Sequence, residues 1–114
     1  MSFKVSQRKS DDVTVLDVSG RIVLGEQTKD LQQTLRDLAA GGEKKLLLNL
    51  AEVTYVDSAG LGALVRSHTA VTEQEGHLKL LNVPAKVQTL LKITKLNSLF
   101  ESFDDEASAI KSFG

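Results

Sequence analysis

The chain contains no cysteine and no tryptophan, and only one proline, Pro84. Without thiols there can be no disulfide framework, no thiolate catalysis and no cysteine-ligated zinc. Aromatics are few: Phe3, Tyr55, Phe100, Phe103 and Phe113. Binders of single-stranded nucleic acid need stacking platforms interleaved with basic residues, and that pattern is missing. A charge of one sign is missing too. Lys and Arg total 14 against 15 Asp and Glu, for a net charge of -1. Nothing in that balance suits a phosphate backbone or an anionic membrane surface. Long apolar runs are also absent, since Leu46–Leu48 with Leu50 just beyond is the longest. A membrane helix needs about 20 apolar residues. The opening MSFKVSQRKSDDV has no apolar stretch after its charges, unlike a secretory signal. The expectation is a soluble cytoplasmic domain with no nucleic-acid and no membrane partner.

What is present is an ordinary globular composition, 41% hydrophobic and 25% charged, over 114 residues. That length suits one domain, residues 1–114, with a core that needs no staples. No repeat, low-complexity segment or linker interrupts it.

Strand and helix patterns alternate. SFKVSQRK places Phe3 and Val5 on one face, and VTVLDVSG reads as its hairpin partner across an Asp11-Asp12 turn. Gly20 ends that strand in this reading, and RIVL adds a short third one. EQTKDLQQTLRDLAA predicts an amphipathic helix with Thr28, Leu31, Leu35 and Leu38 inward, stopped by Gly41-Gly42. Leu46–Leu50 is nearly continuous apolar sequence, as in a strand covered on both faces. A second helix runs from Ser58 to a stop at Gly76, with Leu61, Leu64, Val65 and His68 on one face. HLKLLNV is an alternating strand. Pro84 opens a third helix carrying Val87, Leu90 and Leu91, because its missing N–H would be unpaired in the first turn anyway. SLFESF is a short last strand, and DDEASAIKSF a last helix with acids first and Lys111 near its end. Alternating strands and helices imply parallel pairing through right-handed crossovers, with the front hairpin adding antiparallel pairing. The fold class is α/β: a mixed four- to five-stranded sheet with about four helices packed mainly on one side.

One stretch stands out, TYVDSAGLGALV, from Thr54 to Val65. It turns from strand to helix through Asp57-Ser58 and then spends Gly60 and Gly62 in the first turns. Glycine in a helix interior costs about 1 kcal/mol against alanine. Asp57 or Ser58 serves as the helix cap. The glycines admit close approach, either by another element of the domain or by another molecule beside Ser58.

Catalytic patterns do not fit the stretch. Val56 stands where a nucleophile elbow needs glycine, no Gly-Lys-Ser/Thr follows Gly60, and Val65 replaces the third glycine of a dinucleotide fingerprint. His68 reads as a core residue and His77 as solvated. No cofactor, no metal and no enzymatic activity are expected. Ser58 is instead a candidate substrate: a hydroxyl at an exposed turn, where an added phosphate meets a helix N-terminus.

VDSAGLGALV, preceded by KKLLLNLAEVTYV, resembles the Asp-Ser-(Ser/Ala)-Gly-Leu-Gly segment of STAS domains, the anti-sigma factor antagonist family. GRIVLGE and LKLLNVPAKVQTLLKITKL match in position, so the resemblance covers essentially the whole chain. It implies a protein that binds an anti-sigma factor, itself a serine kinase, and so frees the sigma factor. By residue, Ser58 matches the phosphoacceptor that the kinase modifies and a phosphatase restores. Asp57 matches the acidic neighbour, and Ala59, Gly60, Leu61 and Gly62 match the docking turn. Family members often carry an aspartate in the loop before the first helix; here it reads Leu24-Gly25-Glu26, with Glu26 as the stand-in. Two other readings stay open. One is a constitutive accessory subunit of a stress-sensing or transport complex, with no phospho-switch. The other is a small-molecule or nucleotide-binding domain using the helix N-terminus as an anion site.

Overall fold

The structure, a computed structural model, describes residues 3–114. In chain order the elements are β1 (Lys4–Ser10), β2 (Val13–Ile22), α1 (Glu26–Ala40), β3 (Lys45–Val56) and α2 (Ser58–Glu73). They continue with β4 (His77–Leu81), α3 (Ala85–Ile93), β5 (Ser102–Phe103) and α4 (Glu106–Ser112). The sequence places the start of the first strand at Ser2, which lies outside the described residues.

Five strands form one sheet in the order β1-β2-β3-β4-β5. β1 and β2 are an antiparallel hairpin, and every later pairing is parallel. Strand order follows chain order because each helix carries the chain over to the next lane. The core divides by the period of two along each strand. Leu16, Val18, Leu46, Leu48, Leu50, Leu78 and Leu80 face α1, α2 and α3. Val13, Val15, Leu47 and Leu81 face the opposite way, where Ala109 of α4 covers them. Three helices on one face and the short α4 on the other match the expected arrangement.

Two local readings need correction. No separate strand follows Gly20: β2 runs ten residues to Ile22. Gly20 sits inside it at φ 96°, and the β2–β3 register shifts on both sides of it. β3 spends an extra residue at each shift, so β2 bends at Gly20 and keeps its partner. The α2 stop belongs to Glu75, at φ 62°, with the Gly76 N–H donating to the Val71 carbonyl at 2.9 Å. In α1 the expected inward Leu38 is half-buried and packs against the core, and the buried Ala39 joins it in the last turn.

The second face carries polar groups as well. Lys79 is buried under α4, its Nζ donating to the carbonyl and hydroxyl of Ser112 at 3.1 and 3.0 Å. That places a cation at the C-terminal end of a helix, where the carbonyls lack partners.

Candidate functional site at the ends of the parallel strands

β2, β3 and β4 run in the same direction, so their C-terminal ends open at one edge of the sheet. Ligands of open α/β sheets gather at such edges. Ile22 pairs with Val56, and the Asp57 N–H donates to the Ile22 carbonyl at 3.3 Å. The loop before α1 and the turn into α2 are therefore side by side. This pairing brings the loop Leu24–Glu26 and the turn Asp57–Ala59 to the same end of the sheet, although thirty-odd positions separate them in sequence.

The cap of α2 is Asp57. Its Oδ1 accepts the Gly60 N–H at 2.7 Å, and its carbonyl accepts the Leu61 N–H at 2.8 Å. Ser58 is the first helical residue and is exposed. Among the described residues its hydroxyl has no hydrogen-bond partner. With the capping role filled by its neighbour, the Ser58 oxygen is left to face solvent.

The two glycines have different reasons to be there. A Cβ on Gly60 would fall 1.9 Å from the Ile22 carbonyl oxygen, which is rigid backbone. Gly60 is a packing requirement of the domain itself. A Cβ on Gly62 would meet only the end of the flexible Arg66 side chain, at 3.2 Å. Gly60 and Leu61 are buried, so the surface of the turn consists of Ser58, Ala59 and Gly62, extended by Leu24, Gly25 and Glu26. Leu24 is 76% exposed.

Both histidines lie elsewhere. His68 is ten residues along α2 from Ser58, roughly 15 Å down the axis. It packs edge-on against Phe100 with ring centroids 5.2 Å apart, and burial pushes its pKa below the ordinary value. His77 is exposed at the start of β4. The two border one cleft at the far end of the domain. Among the described residues, no group of three or more His, Cys, Asp or Glu side chains could hold a metal ion. No helix among them is long and apolar enough to cross a membrane.

Tyr55, 49% exposed, escaped the sequence reading, as did its neighbourhood with Ala85 and Lys86. The only signal was an aromatic in a chain that has few. A polar chain on the second face was also missed. Arg8 of β1 donates to both carboxylate oxygens of Asp17 and both of Glu106; Asn49 donates to Asp17, and Asn82 to Asn49. The hydrogen bonds from Arg8 are the largest influence holding both carboxyls below their ordinary pKa.

The STAS domain family model matches residues 4–109. The anti-sigma-B factor antagonist of Staphylococcus epidermidis is 28% identical over 99 residues, covering 87% of this chain and 91% of that protein. The antagonist of the same name from Staphylococcus aureus strain NCTC 8325 is 31% identical over 70 residues, covering 61% and 65%. Among solved structures, a putative anti-sigma factor antagonist from Thermotoga maritima superposes with a TM-score of 0.85 at 23% identity, covering 95% of this chain and 92% of that one. The anti-sigma factor antagonist SpoIIAA superposes with a TM-score of 0.73 at 15% identity in its unphosphorylated form, covering 98% and 97%. Its phosphorylated form gives the same TM-score and identity, covering 99% and 100%. With a family match spanning nearly the whole length and the expected sheet and helices in place, this chain belongs to the STAS domain family.

Proposed function

We propose that this protein is an anti-sigma factor antagonist: a binding module that docks an anti-sigma factor at the Ser58 edge and so releases a sigma factor. A serine kinase, the anti-sigma factor itself, switches it off by phosphorylating Ser58, and a phosphatase switches it back on. The protein works in the cytoplasm and performs no catalysis of its own. Asp57, Ser58, Ala59 and Gly62 with Leu24, Gly25 and Glu26 form the contact surface. Gly60 and Leu61 set the shape of the turn from below.

The observation that carries this reading is the division of labour at the head of α2. Asp57 caps the helix, and Ser58 projects without a structural role. A phosphate there adds about -1.5 to -2 charges at neutral pH. It meets the positive end of the helix dipole, so the domain tolerates it. A partner lying flat on Leu24, Ala59 and Gly62 instead meets bulk and charge, and leaves. The constitutive-subunit reading treated Ser58 as a helix cap, and Asp57 already fills that place.

The test is intact mass and peptide mapping of the protein from its own cells, joined to binding of the co-purified anti-sigma factor. One phosphate at Ser58 is expected. Ser58→Asp is expected to weaken the complex by about tenfold or more, as for loss of a central contact, and Ser58→Ala to keep it. Equal binding by wild type and Ser58→Asp would overturn the switch.

A further inference from the structure

β3 outruns its neighbour. It is twelve residues long, yet only Lys45–Asn49 pair with β4. Among the described residues, the seven from Leu50 to Val56 have no strand on that side, and α3 passes beneath them instead. A groove of about 320 Å³ opens between the two. Val53 and Val56 line it from β3, and Pro84, Val87 and Leu90 from the start of α3. Its single charged lining residue among those described is Lys86. Tyr55 also lines the groove, and the Arg21 guanidinium lies 5.1 Å from its ring centroid.

We propose that this groove seats apolar side chains of an acidic segment of the same anti-sigma factor that covers Ser58, and so acts as a second anchor for that partner. The inference rests on the function proposed above and goes beyond it. Continuity supports it: the groove reaches Val56, two residues and at most about 7 Å of chain from Ser58. A partner centred on Ser58 meets the groove next. Charge supports it as well. The lining is mostly apolar, and its one cation among the described residues, Lys86, suits a carboxylate beside the apolar anchor. Paired strand addition along the free edge is disfavoured, because the extra residues of β3 bulge the strand where a new one would have to join. The occupant therefore enters through its side chains.

Two substitutions at exposed positions leave the core untouched. Ala85→Trp fills the groove from its rim, and Lys86→Glu reverses the charge at its mouth. The probe is the purified anti-sigma factor whose complex Ser58→Asp weakens, with isothermal titration as the readout and far-UV circular dichroism as the folding check. Each variant is expected to weaken binding by about tenfold or more, the scale of one lost anchor. Lys86→Glu is also expected to flatten the salt dependence of the affinity. Affinities within about twofold of wild type for both variants, a negligible free-energy change, overturn the second anchor while the Ser58 switch stands. If Ser58→Asp weakens no anti-sigma factor, the function and the anchor fall together. Dimerisation of the free protein that Ala85→Trp abolishes, with partner binding unchanged, would assign the groove to a second copy of this chain and overturn the proposal.

Discussion

The carbonyl oxygen of Ile22 lies 1.9 Å from where a side chain at Gly60 would begin. That contact seats the head of α2 against the end of β2, and it sets the height at which Ser58 meets solvent. Gly60→Ala has to push the helix off the strand, which overpacking costs place at about 1–3 kcal/mol. Gly62→Ala displaces only the tip of Arg66 and gains helix propensity, for a change between zero and about 1 kcal/mol of stabilisation. Urea denaturation of the two variants measures the contrast. Equal destabilisation by both would contradict the packing described here.

The cap makes a second contrast. Asp57→Ala removes the acceptor of the Gly60 N–H and is expected to cost about 1 kcal/mol. Ser58→Ala removes a hydroxyl with no partner among the described residues and is expected to leave the denaturation midpoint unchanged. A loss of stability at Ser58 equal to that at Asp57 would return Ser58 to a capping role.

Acid should weaken the fold in two stages. His68 has a folded pKa lowered by burial, so its contribution is complete above the unfolded value near 6.5 and is lost as pH falls through the folded one. Asp17 and Glu106 also have lowered folded values. Their contribution is complete above the unfolded values near 3.9 and 4.3 and disappears at lower pH. Their side chains are about one third exposed, so screening limits each to about 1 kcal/mol or less. Thermal melts from pH 8 to pH 3 should show both slopes. His68→Gln should flatten the first and Arg8→Met the second. An Arg8→Met profile that matches wild type below pH 5 would remove the Arg8 bridge from the account.

The order of elements was legible from local pattern alone. The period of Thr28, Leu31 and Leu35, the apolar block Leu46–Leu50 and the proline before α3 each act within a few residues of chain, where propensity and periodicity are read directly. The Asp-Ser-Ala-Gly-Leu-Gly turn was legible too, because its spacing is a continuous segment. Local pattern misjudged Gly20, which looked like a terminator. Only the partner strand β3, with its extra residues, shows that β2 continues through it.

The sequence by itself determined the alternation of strands and helices and the position of Ser58 at a strand-to-helix turn. Tertiary structure decided what needs two distant segments to meet. It gave Gly60 its reason in Ile22, joined Arg8 to Glu106 across 98 positions, and buried Lys79 under a helix that lies thirty residues further on. It also left β3 longer than β4, which opens the groove beside Ser58. Hydrophobic periodicity sets which face a residue shows, but the identity of the group opposite depends on register and crossover, and these exist only once the sheet has assembled.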